Sequence, residues 1–195
     1  MAAFVTQPAP SFSATAVVGE DFKTIHLSDY LGKNVILFFY PLDFTFVCPT
    51  EIIAFDEKLE EFTQRNTVVL GASIDSQFSH LAWNTMPRNL GGLGKVRYPL
   101  IADLTKQIAK DYGVLLPDNS VALRGLFLID KVGVLRHMVV NDLPLGRSVD
   151  EALRMVDALN FFEKNGEVCP ANWQEGRPSM KADPKGAQEY FSKQN

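Results

Sequence analysis

Cys48 is the residue in this sequence whose type and position most directly suggest chemistry. It lies in residues 41–51, PLDFTFVCPTE, where a short apolar run that ends at a proline is followed by a helical pattern. Pro49 suits the first position of a helix, because its missing N–H would have no helical partner there. Unpaired amides and the helix dipole stabilise a thiolate at that end of a helix, so the sequence predicts a reactive sulfur at Cys48.

Peroxide reduction is one reaction that such a thiolate could perform, and it requires no metal. It needs hydrogen-bond donors that hold the two peroxide oxygens in line with the sulfur while the O–O bond breaks. The Thr45 hydroxyl and the Cys48 amide are candidate donors, and Pro41 and Phe44 can shield the sulfur from water. Arg124 is the candidate cation, because a guanidinium stays charged and donates in a fixed fork. Residue patterns alone do not place Arg124 beside Cys48.

Hydrophobic periodicity predicts alternating strands and helices. Predicted strands cover residues 35–40, 68–74, 100–102, 125–130 and 134–140, and predicted helices cover residues 52–62, 75–86, 105–112 and 148–164. The order strand, helix, strand at the start of this series implies a parallel pair joined by a crossover. Ser148 and Glu151 form the pattern of a capping box at the start of the last helix. These elements predict an α/β fold with a central mixed sheet flanked by helices.

The composition changes after Gly166, where prolines and glycines interrupt a polar tail. This tail is too short to form a second domain with its own core. Residues 1–165 are therefore predicted to form the catalytic domain, and residues 166–195 are predicted to form a C-terminal arm.

The bulk composition excludes several classes of protein. The chain has 195 residues, of which 46% are hydrophobic, and its formal net charge is −4. These values favour a globular domain and give no reason to expect nucleic acid as a partner. The longest apolar run, residues 35–40, is far too short to cross a bilayer, so no membrane partner is expected. The N-terminal residues lack the pattern of a secretory signal or a transit peptide, so a cytoplasmic protein is expected.

Only two cysteines are present, Cys48 and Cys169, and they do not form a Cys-x-x-Cys pair. This number excludes a disulfide-dense secreted scaffold. Any bond between the two sulfurs must come from the fold or from a second subunit. No metal or other cofactor is expected, because the three histidines do not form a ligand spacing: His26, His80 and His137.

Pro41, Thr45 and Cys48 form the pattern Pro-x-x-x-Thr-x-x-Cys, which resembles the active-site motif of peroxiredoxins. Residues 44–51, FTFVCPTE, are similar to the typical two-cysteine branch, the thioredoxin peroxidases and alkyl hydroperoxide reductase-like proteins. Further family landmarks occur in the expected order: residues 79–83 (SHLAW), Arg124, residues 146–148 (GRS) and residues 168–173 (VCPANW). The resemblance covers nearly the whole chain, and the Val-Cys-Pro segment of the tail makes the combination highly specific.

The resemblance implies a thioredoxin-like fold and an obligate antiparallel homodimer. Cys48 would become a sulfenic acid, and Cys169 of the other subunit would condense with it to form an intersubunit disulfide. A thioredoxin-type protein would reduce that disulfide, and rings of five dimers are common in this branch. The resemblance also implies a set of residues around the sulfur: Pro41, Thr45 and Arg124 beside it, and Glu51 and Arg147 in the network that orients Arg124.

Residues 91–94, GGLG, together with Tyr190 and Phe191, resemble paired elements of peroxide-sensitive family members. In those members the tail packs over the active-site helix and slows the local unfolding that lets the two sulfurs meet. A second peroxide can then oxidise Cys48 to a sulfinic acid, so the hypothesis is that this enzyme inactivates at high peroxide.

Two other functions and several structural interpretations compete with the peroxidase. A thiol–disulfide oxidoreductase on the same fold would be expected to carry a Cys-x-x-Cys pair, which this chain lacks. A redox-controlled binding or holdase protein, active as a ring, can coexist with a peroxidase. Cys48 by itself could be a buried small hydrophobe, Arg124 a surface arginine, and Glu51 a first-turn acid that favours the helix dipole. The spacing of His80 and Trp83 on one helix face favours packing over chemistry.

Overall fold

The computed structural model describes residues 3–193, which contain a seven-stranded sheet. The strands are β1 (Ser13–Val18), β2 (Asp21–His26), β3 (Asn34–Phe39), β4 (Thr67–Ser73), β5 (Leu100–Ala102), β6 (Arg124–Ile129) and β7 (Leu135–Asn141). The α-helices are α1 (Cys48–Glu57), α2 (Leu59–Gln64), α3 (Gln77–Thr85), α4 (Gln107–Asp111), α5 (Val149–Asn165) and α6 (Pro184–Ser192). The chain divides into two compact units, Met1–Val149 and Asp150–Asn195, and the first contains the whole sheet.

The strand order across the sheet is β2-β1-β5-β4-β3-β6-β7. β3 runs parallel to β4, with Val35 opposite Val68, and β4 runs parallel to β5. The other neighbours are antiparallel, including the hairpin of β6 and β7. The predicted mixed sheet and its parallel pair are therefore confirmed. Every residue of β3 is buried, which explains its apolar run and gives the following loop a rigid starting point.

The helix predicted over residues 52–62 is wrong, because this segment forms parts of two helices, α1 and α2. Helix α1 begins earlier, at Cys48, and the backbone leaves the helical range at Lys58, where φ is −101° and ψ is 13°. The guanidinium of Arg97 donates to the Asp56 carbonyl at 2.5 Å. A side chain from a distant segment therefore hydrogen-bonds to a backbone carbonyl next to the break. The spacing of apolar residues cannot reveal a contact of this kind.

Hydrophobic periodicity misses the hairpin of β1 and β2 and the helix α6. Only one residue of β2 is buried, so β2 lacks the alternation that marks a half-buried strand. Helix α6 begins after Asp183, whose carboxylate accepts the Gly186 amide at 2.8 Å, and Pro184 is its first residue. An Asp-Pro pair at a helix start is a signal that the sequence contains, although the surrounding polar composition obscures it.

The second compact unit contains most of α5 and all of α6. Helix α5 begins directly after Ser148, where the sequence predicts a cap. Trp173 is 3% exposed, and its ring centroid lies 4.7 Å from that of Phe161. The predicted division into residues 1–165 and 166–195 assigns α5 to the catalytic domain, and it stays a prediction.

Among residues 3–193, no helix has the length and apolar character needed to span a bilayer. The same part of the chain contains no group of three or more His, Cys, Asp or Glu side chains placed to hold a metal ion.

Candidate active site

Cys48 is the first residue of α1 and follows the active-site loop, which we define as residues 41–47. Val47 precedes the helix without a side-chain cap, and Pro49 is the second helical residue, one place later than predicted. Pro49 has no N–H, and the Thr50 and Glu51 amides donate to the Val47 carbonyl at 3.1 Å and 3.4 Å. It is therefore chiefly the helix dipole that favours an anion at this end of α1. Cys48 is 1% exposed, and its sulfur is therefore shielded from bulk water.

Arg124 reaches Cys48 through the pairing of β6 with β3. Arg124 is the first residue of β6, and its antiparallel neighbour β3 leads into the active-site loop. Its Nη1 donates to the Cys48 Sγ at 3.5 Å, and its Nε donates to the Leu143 carbonyl at 2.6 Å. Arg124 is 3% exposed, so it is not an ordinary surface arginine. The fold thus joins two residues that lie 76 positions apart in the sequence.

Glu51 lies in the first turn of α1 and is 3% exposed. Its Oε1 accepts the Arg147 backbone amide at 2.8 Å and the Arg147 Nε at 2.7 Å. Its Oε2 accepts the Arg124 Nη1 at 2.7 Å and the Arg147 Nη2 at 3.0 Å. These four contacts use the acceptor capacity of a carboxylate. One acid therefore pairs with two buried guanidiniums, and this arrangement leaves a net positive charge beside the Cys48 sulfur.

Arg147 supports Glu51 from the segment that precedes α5. Its side chain is 2% exposed, and its Nη1 donates to the Gly125 carbonyl at 2.6 Å. The guanidinium carbon also lies 5.3 Å from the centre of the Phe38 ring, which is a cation–π distance. These contacts fix Arg147, and Arg147 in turn fixes the carboxylate that holds Arg124.

The active-site loop carries Pro41 and Thr45, of which the first is buried and the second is half-buried. The Thr45 hydroxyl donates to the Leu42 carbonyl at 2.9 Å, so its proton is engaged within the loop in this conformation. Between them, Phe44 has a φ of +54°, a left-handed conformation that is rare for a bulky side chain. The loop is therefore a strained turn directly before the cysteine.

Cys169 lies in the second compact unit and is half-buried. Its thiol donates to the Ala158 carbonyl, with an Sγ–O distance of 3.5 Å. Burial raises the pKa of the Cys169 thiol above its usual value, and the nearby Arg154 guanidinium offsets part of that rise. Both cysteines are free, so the structure represents the reduced protein.

If Cys169 attacks an oxidised Cys48, the rate of that step is expected to increase with pH, because the attacking group is the thiolate. A raised pKa leaves less thiolate near neutral pH, so the rate should keep climbing through the ordinary thiol range near pH 8.5. Stopped-flow fluorescence from about pH 6 to about pH 10 measures this step. Arg154→Gln should move the profile to higher pH, whereas Arg154→Lys, which keeps the charge, should not. A rate that is constant above about pH 7 contradicts the prediction.

His80 packs in the interior, as its spacing predicts, but its ring also joins a polar network that the sequence interpretation missed. His80 is 0% exposed, and its nitrogens lie 2.8 Å from the Asp43 carboxylate and 3.0 Å from the Ile101 carbonyl. The same carboxylate accepts the Tyr40 hydroxyl at 2.9 Å and the Ser79 hydroxyl at 2.7 Å. Asp43 and His80 both lie in segments with recognisable motifs, but periodicity cannot relate residues that are 37 positions apart.

Comparison with known proteins identifies relatives along the whole chain. Residues 5–138 match the AhpC/TSA family, and residues 158–193 match the C-terminal domain of 1-Cys peroxiredoxin. The chain is 58% identical to peroxiredoxin-2 of Bos taurus over 193 residues, which cover 99% of this chain and 97% of the relative. It is similar to the reduced 2-Cys peroxiredoxin of Plasmodium vivax, with a TM-score of 0.95, 51% identity, and coverage of 97% and 98% of the two chains. It is also similar to thioredoxin peroxidase I of Plasmodium yoelii, with a TM-score of 0.79 and 55% identity. This match covers 89% of the present chain and 100% of the Plasmodium yoelii chain.

The fold is thioredoxin-like, and the relatives place the chain in a class of thiol-dependent peroxidases. The chain belongs to the peroxiredoxin family. The resemblance of the motifs to the typical two-cysteine branch is thereby confirmed.

Proposed function

We propose that this chain reduces hydrogen peroxide and organic hydroperoxides with Cys48 as the nucleophile. The thiolate attacks one peroxide oxygen, the O–O bond breaks, and the second oxygen takes a proton and leaves as water or an alcohol. The sulfur becomes a sulfenic acid as the peroxide is reduced. The observation that carries the proposal is the 3.5 Å contact between the Arg124 Nη1 and the Cys48 Sγ, at a cysteine that is 1% exposed.

The surrounding side chains supply charge and alignment. Arg124 stabilises the thiolate and the negative charge that develops on the leaving oxygen. Glu51 and Arg147 hold the Arg124 guanidinium through buried ion pairs, which removes the cost of ordering it during the reaction. Thr45 donates to the bound peroxide once its hydroxyl turns away from the Leu42 carbonyl, which accepts it at 2.9 Å in the free chain. Pro41 excludes water from the sulfur. The proposed cycle uses no metal and no other cofactor.

Cys169 of the partner subunit resolves the sulfenic acid in an antiparallel homodimer. Its thiolate attacks the oxidised Cys48, an S–S bond forms, and water leaves. A thioredoxin-type dithiol then reduces the intersubunit disulfide and is itself oxidised. The name of the Plasmodium yoelii relative, a thioredoxin peroxidase, supports this class of reductant. The chain has no Cys-x-x-Cys pair of its own that could supply the electrons.

We propose further assembly into a ring of five dimers. Exposed apolar residues of the first compact unit support association. β7 forms one edge of the sheet, with Val139 36% exposed and Val140 39% exposed. Phe44 is 49% exposed and Phe78 is 65% exposed. A Plasmodium yoelii Prx1a that is modified at its N-terminus forms an artifactual octamer, so assembly beyond a dimer occurs in a relative. Sedimentation of the reduced protein should give the mass of ten subunits, and a dimer mass contradicts the ring.

Turnover with a thioredoxin system tests the peroxidase proposal. Peroxide, thioredoxin, thioredoxin reductase and NADPH are mixed with catalytic amounts of the chain, and NADPH oxidation should depend on both the peroxide and the chain. A thiol–disulfide oxidoreductase would instead reduce insulin disulfides without peroxide. A holdase would suppress aggregation of a heated client protein without consuming peroxide. Either of these activities in the absence of peroxide turnover overturns the proposal.

Non-reducing electrophoresis tests the intersubunit bond. After one equivalent of peroxide the wild-type chain should migrate as a covalent dimer, and the dimer band should be absent from either single cysteine variant. A monomeric band from the oxidised wild type excludes the proposed resolution between subunits.

Inactivation at high peroxide is expected to depend on Tyr190 and Phe191. Both residues lie in α6, with ring centroids 5.4 Å apart, and residues 91–94 hydrogen-bond to α3 through the Leu93 amide and the Trp83 carbonyl at 3.0 Å. If the tail slows resolution, a chain cut after Gln188 should withstand a several-fold higher peroxide concentration before activity falls. The matched control is a chain cut after Ser192, which keeps both aromatic residues. Equal inactivation of the two truncated chains contradicts a role for these residues.

We also propose a cytoplasmic location and a catalytic domain that ends near residue 165. A chain with only two cysteines is not a disulfide-dense secreted scaffold, which supports this location. Fractionation of the source cells should recover the chain with cytosolic markers, and recovery with an organelle contradicts this location.

Limited proteolysis tests the domain boundary. It should cut after residue 165 and leave the catalytic domain folded.

A further inference from the structure

A buried polar cluster surrounds Asp43 of the active-site loop and contains none of the residues that hydrogen-bond to Cys48 or Arg124. The Asp43 cluster consists of Tyr40, Asp43, Ser79 and His80. The Asp43 Oδ1 accepts the Tyr40 hydroxyl at 2.9 Å, and its Oδ2 accepts the Ser79 hydroxyl at 2.7 Å and lies 2.8 Å from the His80 Nδ1. The His80 side chain is 0% exposed and the Asp43 side chain is 1% exposed. A buried carboxyl with three side-chain partners is held firmly in one orientation.

The contact between Asp43 and His80 is a buried hydrogen bond. The His80 Nε2 lies 3.0 Å from the Ile101 carbonyl, which can only accept, so Nε2 carries a hydrogen. Burial and then the charge of Asp43 raise the pKa of Tyr40 well above its usual value, so Tyr40 remains a donor. Its hydroxyl lies 2.9 Å from the Asp43 Oδ1 and 3.3 Å from the His80 Nδ1, so it bridges the two side chains. The pair is compatible with burial because each of its polar atoms has a partner.

The backbone of Asp43 is also fixed. Its amide donates to the Asp75 Oδ2 at 2.9 Å, and the Ser73 hydroxyl at the end of β4 donates to the same oxygen at 2.7 Å. The side chain of Asp43 is thus tied to α3, while its main chain is tied to the residues that follow β4. The next residue, Phe44, has the strained φ of +54°, which persists only if the surrounding contacts hold it.

We propose that Asp43, with His80 as its hydrogen-bond partner, is a positioning residue that aligns peroxide at Cys48 through Thr45. The inference rests on the proposed function, because it assigns Asp43 a part in that reaction. Asp43 directly precedes the strained residue Phe44, and Thr45 directly follows it. The contacts of Asp43 therefore hold the backbone on one side of the strained residue. Loss of these contacts lets Phe44 relax and displaces the Thr45 hydroxyl, while the contacts of Arg124 with Glu51 and the sulfur remain.

Comparison of two electrophiles tests this role. Reaction with peroxide requires alignment of two oxygens, whereas alkylation by iodoacetamide requires only the thiolate. Asp43→Asn keeps the side-chain volume and should lower the second-order rate constant with hydrogen peroxide about 10- to 100-fold, the effect of displacing an aligning group. The alkylation rate of the same variant should stay within about twofold of wild type. Equal losses in the two rates, or no loss, overturn the proposal.

Asp103→Asn is the matched control for loss of a buried carboxylate. Asp103 is 2% exposed and its carboxylate accepts the amides of Ile108 and Ala109 at 3.2 Å and 2.7 Å, neither of which belongs to the active-site loop or to the Asp43 cluster. This variant should lower the melting temperature without changing the ratio of peroxide rate to alkylation rate. A similar change of the ratio in both variants means that Asp43 acts only through stability, and this result overturns the proposal.

A double-mutant cycle locates the effect at Thr45. If Asp43 acts through this hydroxyl, Asp43→Asn should change the peroxide rate little once Thr45→Val is present. Losses that multiply in the double variant overturn the proposed route.

Ser79→Ala provides a second variant if Asp43→Asn does not fold. It removes one contact to the same carboxylate and should lower the ratio of peroxide rate to alkylation rate several-fold, and an unchanged ratio overturns the proposal. A wild-type chain that does not react with peroxide contradicts the proposed function, whereas an active wild type with an unchanged ratio in Asp43→Asn contradicts only this inference.

Discussion

The Cys48→Ser variant is expected to lose peroxide reduction entirely, whereas Cys169→Ser should keep the first oxidation and lose only the covalent dimer. A serine hydroxyl at the start of α1 does not ionise near neutral pH, so the nucleophile is absent even with Arg124 in place. Cys169 acts on the sulfenic acid only after the peroxide has left. The two cysteines therefore have separable effects, and the first is the largest that a single substitution can produce in this chain.

Rapid mixing with hydrogen peroxide, followed by mass spectrometry, measures both effects. Cys169→Ser should gain one oxygen atom on Cys48, and Cys48→Ser should gain none at that position. Unchanged melting temperatures show that the variants are folded. Oxidation of Cys48→Ser at the wild-type rate would place the reaction elsewhere and contradict the mechanism.

Glu51→Gln is expected to cause the second-largest effect, on both stability and rate. The carboxylate accepts four hydrogen bonds from Arg124 and Arg147, and its side chain is 2% exposed. Removal of its charge leaves the buried Arg124 and Arg147 guanidiniums without their shared carboxylate partner, which should lower the free energy of unfolding by about 3 to 5 kcal/mol. The peroxide rate constant should fall about tenfold or more, because the Arg124 guanidinium is no longer held against the sulfur.

Glu61→Gln is the control for an exposed ion pair. Glu61 lies 3.4 Å from Lys58, and the two side chains are 47% and 36% exposed, so its loss should change the free energy of unfolding by less than about 1 kcal/mol. Urea denaturation of the two variants measures the difference. If the free energy of unfolding of Glu51→Gln equals that of Glu61→Gln, the charge of Glu51 does not stabilise the buried cluster as proposed.

The fold was predictable where burial produces a regular pattern. β3 is apolar from Val35 to Phe39 because it is buried on both faces, and the pairing of β3 with β4 follows from the helical segment between them. β2 was not predictable from periodicity, because its residues are almost all exposed and its place is set by backbone pairing with β1. The break at Lys58 depends on the Arg97 side chain, which comes from a segment beyond β4 and α3.

The site was predictable to the extent that its residues share one segment of chain. Pro41, Thr45, Cys48 and Glu51 lie together in the active-site loop and the first turn of α1, so their proximity follows from local geometry. The Asp43–His80 pair was not predictable, because no sequence pattern relates an aspartate in a loop to a histidine on a helix 37 positions away.

By itself the sequence determined that Cys48 stands at a helix start, where the helix dipole favours a thiolate, and its motifs determined the family resemblance. Only the tertiary structure decided which cation meets the sulfur, because Arg124 reaches Cys48 through the antiparallel pairing of β6 with β3. It also decided that Glu51 serves two buried guanidiniums rather than the helix dipole alone. The physical reason is the same in each case. Local propensities act over a few residues, whereas a buried charge is stable only with partners that the fold brings from distant parts of the chain.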